Sequence, residues 1–177
     1  TSKAIVEAIK DTGSRVGFTT FDNNVKNISN LTEITSENKN TVLTAINNIG
    51  PCGGTHIWKG CRNSLQRLLT RKDKTRNPAV LLLTDGQPTE GPNKPENEAI
   101  AALLDSPPSE WKCKAQGRIP IYSIGFGYSL KRDLMYNIAK YTGGVNSSIP
   151  GPEMMTTVFG SAIANILNTR CYSMKLH

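Results

Sequence analysis

The sequence predicts an α/β fold, with a mostly parallel sheet, one antiparallel edge strand and helices on both faces. Three observations carry this. Two short apolar runs, AVLLL at residues 79–83 and IPIYSIG at 119–125, are continuous rather than alternating, as in strands covered on both sides. Segments whose apolar residues recur at helical spacing separate the runs, and strands alternating with helices build parallel sheets. The chain is also 177 residues long, one domain's worth and enough to bury a core without cross-links.

Ala4, Ile5, Ala8 and Ile9 give residues 3–10 one apolar helical face, and Asp11 to Ser14 end it. RVGFTTF, residues 15–21, alternates and predicts a strand. Asp22-Asn23-Asn24 turns the chain into an antiparallel partner over 25–31. Ser36 is the expected cap of a helix reaching about residue 48, with Val42, Leu43, Ile46 and Ile49 inward. The glycines and proline of 50–54 break it. A longer helix over 56–70 follows, with Ile57, Cys61, Leu65, Leu68 and Leu69 on one face. After a charged loop at 71–76, the AVLLL strand ends at Thr84-Asp85-Gly86. Glycines and prolines make 86–96 a loop. A helix over 96–104, an irregular stretch over 106–116, the IPIYSIG strand, a helix over 130–141, a short strand over 145–149 and a helix over 153–167 complete the order. Residues 170–176 alternate and predict a strand leaving the domain.

Composition narrows the class. Apolar residues make up 37% and charged residues 20% of the chain, the balance of a folded globule. No apolar run approaches the ~20 residues of a membrane helix, so no membrane role is expected. Four cysteines are too few for a disulfide-stapled scaffold, and free thiols in a reducing, cytoplasmic setting are the simplest reading. Cys61 belongs to an apolar helix face, Cys113 is expected at the surface and Cys171 at the domain exit. Cys52, His56 and Cys61 have no standard zinc spacing. The net charge is +7. Arg67, Arg71, Lys72, Lys74 and Arg76 crowd one helix end, which reads as a solvated terminus favoured by the helix dipole or as a patch for nucleic acid. Asn27, Asn30 and Asn146 each open a glycosylation triplet.

In open α/β sheets, sites form beyond the carboxyl ends of the strands. Two loops there carry chemistry. Gly53-Gly54-Thr55 opens a helix, and Thr84-Asp85-Gly86 ends a central strand. A hydroxyl and a carboxylate brought together suit a hard cation such as Mg²⁺. Taken alone, Thr55 also reads as a helix cap and Asp85 as a turn residue. A phosphoryl-transfer or hydrolytic enzyme centred on Asp85 would need a second carboxylate and a phosphate-gripping lysine at fitting spacing, and neither follows. The glycine loop lacks the lysine of a phosphate-binding loop, and Gly125-Phe126-Gly127 lacks the third glycine of a dinucleotide fingerprint.

The ordered segments GGTHIWKG, AVLLLTDGQPTEG and IPIYSIGFGYSLKRDLMYNIAKYTGG resemble the von Willebrand factor A (vWA) domain. LLTDGQPT, GFGYSL and TVFGSAIANIL resemble most closely the vWA domains of intracellular eukaryotic proteins that carry a Hint module, some with a U-box. The resemblance implies a Rossmann-like vWA sheet over residues 1–168, with 169–177 opening a following β segment or linker. It implies a non-enzymatic module that binds a protein partner at a metal-ion-dependent adhesion site, where the ion takes an acidic side chain of the partner. Of the family's three metal loops, the second matches Thr55 and the third Asp85; His56, Gln87 and Thr89 would be rim contacts, and Trp58 a nearby aromatic or half-buried packing. The first loop, Asp-x-Ser-x-Ser, does not occur in this chain. The first central strand is missing with it, so the chain looks clipped at its start. That leaves the RVGFTTF and AVLLL strands expected to face each other with unpaired backbone, and Mg²⁺ expected to bind weakly or not at all.

Overall fold

The computed structural model describes residues 2–50, 53–85, 87–89, 91–92, 95–111, 118–127 and 131–168. In chain order its elements are α1 (Ser2–Ile9), β1 (Arg15–Val16), β2 (Thr19–Phe21), β3 (Val25–Asn27), β4 (Thr32–Glu33), α2 (Lys39–Asn47), α3 (Ile57–Leu69), β5 (Val80–Thr84), α4 (Glu96–Asp105), β6 (Ile121–Phe126), α5 (Arg132–Thr142), β7 (Asn146–Ile149) and α6 (Met155–Asn168). The expected strand over 170–176 lies outside the described residues, as do Cys52, Cys113 and Cys171.

The continuous apolar runs form the sheet. β5, β6 and β7 are parallel, in that order, with Val80 opposite Ile121, Thr84 opposite Gly125 and Phe126 opposite Ile149. The strand period of two divides the core. Val80, Leu82 and Ile121 pack beneath α3, α4 and α5, while Leu81, Leu83 and Ile124 turn toward α1, α2 and α6. β6, at the centre, is buried along nearly its whole length. Inside it, Ile121 N–H donates to Thr142 Oγ1 at 3.0 Å, and that hydroxyl donates to Ile138 O at 2.8 Å, so α5 and β6 are joined by a satisfied buried group. α5 ends at Gly143, whose φ of +81° is the left-handed cap glycine favours. Gly144 then passes so close to β6 that a Cβ there would lie 2.1 Å from Ile121 O.

Two local expectations change. RVGFTTF is two strands. β1 pairs with β4 and β2 with β3, as ribbons separate from the parallel sheet. The break falls at Gly17 and Phe18. Phe18 N–H donates to Ser29 Oγ at 3.1 Å, Phe18 O accepts from Ile28 N–H at 2.9 Å, and the Arg67 guanidinium occupies the space above Gly17. Second, Ser36 does not cap α2. Asn38 holds that position, and Ser36 hydrogen-bonds Asp11 through both its N–H and its hydroxyl. β2 and β5 belong to separate sheets, as expected where no central strand lies between them, and α3 packs against both. β5 has β6 on one side and, among the described residues, no strand on the other; Leu81 and Leu83 are correspondingly only half-buried. No described helix is long and apolar enough to cross a membrane.

Candidate functional site

Three loops meet beyond the carboxyl end of β5. They are residues 22–24 after β2, 53–56 before α3 and 85–89 after β5. Their backbones interlock. Thr55 N–H donates to Thr89 Oγ1 at 3.1 Å, and Thr89 N–H returns a bond to Thr55 O at 3.0 Å. Gly54 N–H donates to Asn23 Oδ1 at 3.2 Å, and Lys59 Nζ donates to Asn23 O at 3.0 Å. Asp22 Oδ1 accepts from Asn24 N–H at 2.6 Å and shapes the turn. The glycines permit this approach. Gly53 has φ of +71°, and a Cβ on Gly54 would sit 2.5 Å from Thr89 Oγ1 and 2.6 Å from Asn23 Oδ1.

Within this frame Thr55 is half-buried and Asp85 is exposed at the end of β5. Thr55 does not cap α3; His56 holds the cap position, without a side-chain cap bond. His56 is only 5% exposed, which removes it from the rim. Gln87 and Thr89 are exposed, but Thr89 locks the Thr55 loop as well as lining the end of the sheet. Trp58 is half-buried against the α3 core. Cys61 is 1% exposed, and burial pushes its thiol up to about 12, so it is packing rather than a nucleophile.

The donors at this end fit one edge of a hard-cation site. They are oxygens, but among the described residues of the two matched loops Asp85 is the only carboxylate. Asn23 Oδ1 and Thr89 Oγ1 already accept from backbone N–H groups. Among the described residues, no group of three or more His, Cys, Asp or Glu side chains is placed to hold a metal. A cation resting on Thr55 and Asp85 would keep most of its water.

At the basic helix end Arg67 and Arg71 are half-buried, while Lys72, Lys74 and Arg76 are exposed. Arg67 turns back onto the β2–β3 ribbon, donating to Thr19 Oγ1 at 2.7 Å, to Asn27 Oδ1 at 3.3 Å and to Ser29 O. Arg71 donates to Leu68 O and, at 3.0 Å, to Arg76 O, while Lys74 donates to Leu69 O. Arg76 binds Asp73 at 3.0 Å and Gly13 O. Arg71 and Lys74 thus satisfy carbonyls at the end of α3 and in the loop after it. Thr75 and Arg76 hold the Asp73 carboxyl down to about 2. Lys72 is exposed and, unlike Lys74 and Arg76, makes no hydrogen bond among the described residues. The glycosylation triplets also differ: Asn146 Oδ1 lies 2.8 Å from Ser123 Oγ, whereas Asn27, which accepts from Thr19, and Asn30 are both exposed.

Asn23 is the site residue that sequence reading passes over as a turn former. Its signal is only its place, directly after a strand whose end faces the glycine loop. Asn23→Ala should raise the opening equilibrium at the Gly54 amide about fivefold, the worth of about 1 kcal/mol for one hydrogen bond. Asn23→Asp, which keeps the acceptor, should restore protection; amide hydrogen exchange by NMR reads both.

Loops gathered at the strand ends of a helix-flanked parallel sheet define an α/β domain with its site at the sheet's carboxyl edge. A family model for the von Willebrand factor type A domain matches residues 1–158, and the chain belongs to that family. It is 35% identical over 136 residues to calcium-activated chloride channel regulator 1 of Bos taurus, a match covering 77% of this chain and 13% of that protein. Among solved structures, a von Willebrand factor type A protein from Catenulispora acidiphila superposes with a TM-score of 0.74 at 15% identity, over 94% of this chain and 36% of that one. Proximal thread matrix protein 1 from the mussel byssus, with a zinc-occupied MIDAS motif, gives 0.62 at 23% identity, over 94% of this chain and 38% of that one. The structural likenesses show the fold. This chain spans only a minor part of each of these relatives.

Proposed function

We propose that the chain is a non-enzymatic protein-binding module whose partner docks on the interlocked loops 22–24, 53–56 and 85–89. The observation that carries this reading is the lock itself. Asn23 and Thr89 fix the backbone of the Thr55 loop beside an exposed Asp85, and such order at a loop end suits recognition. Thr55 and Asp85 are the residues that would hold a divalent cation of the Mg²⁺ class. Such a cation supplies an incompletely neutralised charge that attracts an acidic side chain of the partner. Gln87 and Thr89 would touch the partner around it. Arg67 and Arg71, half-buried on protein acceptors, take support away from a nucleic-acid role for that end, which rests on the exposed Lys72, Lys74 and Arg76. The GFGYSL and TVFGSAIANIL segments support a place among vWA–Hint proteins with a cytoplasmic host, which localisation of the full-length protein tests. For the site, the test is recovery of binding partners on the immobilised chain with Mg²⁺ and with EDTA. Loss of the same partner with EDTA and in the Thr55→Ala/Asp85→Ala double variant is expected. Equal recovery in every arm would remove the cation from the reading.

A further inference from the structure

The half-buried Arg67 and Arg71 leave the question of where else the surplus positive charge is displayed. Among the described basic residues that are exposed and make no ion pair, Arg118, Lys131, Arg132 and Lys140 cluster on or beside α5, while Lys26, Lys59 and Lys72 lie elsewhere. Arg118 stands at the carboxyl end of α5, where its side chain lies 3.9 Å from the Cβ position of Gly143. Lys131 and Arg132 stand at the amino end.

Two tyrosines on the same helix are open: Tyr136 is 52% exposed and Tyr141 50%. At 100° per residue, Arg132, Tyr136 and Lys140 form one stripe, each about 40° from the next. Lys140 Nζ already lies 5.7 Å from the centre of the Tyr136 ring, so stripe and cation act as a unit. Beside the stripe, Arg132, Ser147 and Ser148 line a dimple of about 10 Å³, the size of one water. Beyond it, Val145 is 50% exposed. The exposed carboxylates nearby are Asp133 on α5 and Glu98 and Asp105 on the adjoining α4.

We infer that this face of α5 is a second docking surface, distinct from the Thr55–Asp85 end, and that its occupant is a short acidic segment of a protein partner. Charge complementarity sets the sign. Arginine and tyrosine are the side chains that anchor protein interfaces, and a guanidinium beside two serine hydroxyls offers donors to a carboxylate. The tyrosines argue against single-stranded nucleic acid. They lie about 140° apart around the helix, so they form no shared platform for successive bases. α5 has 11 residues, a span of about 16 Å, which about five extended residues cover.

The probe is therefore a fluorescently labelled pentaglutamate, titrated with the full chain at low ionic strength and read by anisotropy. Arg132→Glu/Lys140→Glu should weaken binding about tenfold or more, and Tyr136→Ala about threefold or more. Lys26→Glu/Lys72→Glu, which reverses two exposed cations elsewhere, should leave it nearly unchanged. Circular dichroism of each variant confirms that the fold is kept. The inference is overturned if wild type does not bind, if both charge pairs lose affinity equally, if Tyr136→Ala is silent, or if a labelled thymidine pentanucleotide binds the face more tightly than the peptide.

Discussion

Gly144→Ala is expected to be among the most damaging single substitutions in this chain. The new Cβ would lie 2.1 Å from Ile121 O and 2.5 Å from Ile121 C, both backbone atoms of the central strand. Ile121 is fully buried, and its N–H is held by Thr142 Oγ1 at 3.0 Å, so the strand has no easy direction of retreat. Overpacking of this kind costs about 3 kcal/mol or more, which in a domain of this size lowers the melting midpoint by roughly 10 °C. Gly160→Ala is the matched control. Gly160 lies within α6, and its Cβ would meet nothing within 4 Å, so alanine should stabilise by about 0.5–1 kcal/mol. Thermal and urea unfolding of both variants checks the pair. Similar midpoints for the two would contradict the close packing of α5 on β6.

Phe159→Ala is the second large effect. Phe159 is 1% exposed, and its ring stacks on Phe126 with centroids 6.0 Å apart. It sits in the cluster that joins α6 to Ile5, Val6 and Ile9 of α1 and to Ile149 at the end of β7. Truncation should cost about 3–5 kcal/mol. The loss should be uneven, because α1 packs on α6 and α2, whereas β6 is also held by α5. Amide exchange should therefore accelerate first in α1 and α6, with the β6 amides protected longest. Uniform acceleration across both layers would show that the two cores do not separate.

The parts of this fold that were legible in the sequence are those governed by local periodicity. AVLLL and IPIYSIG became β5 and β6 because strands buried on both faces need continuous apolar side chains. α3 and α5 followed from apolar residues spaced along one face, and Gly143 ended α5 as a cap glycine does. What was not legible depends on partners far along the chain. Nothing near Gly17 announces that Arg67 will occupy the space above it and divide RVGFTTF. Nothing near Arg71 or Lys74 announces that they will satisfy carbonyls of α3 rather than face a ligand. The cap moved from Ser36 to Asn38 because Asp11, 25 residues earlier, takes Ser36. The site divides the same way. Thr55 and Asp85 were named from their strand-end loops and then from the resemblance, and Asn23 was not named because its bond to Gly54 crosses 31 residues.

The most direct test of the site is a Mn²⁺ titration of the ¹⁵N-labelled chain, read as paramagnetic broadening of amide signals. Mn²⁺ accepts the same oxygen donors as Mg²⁺, and broadening detects weak binding. Broadening is expected to centre on the amides of residues 22–24, 54–56, 85, 87 and 89, and to be lost in Asp85→Asn. Broadening that leaves these loops sharp, or that survives Asp85→Asn unchanged, would contradict it.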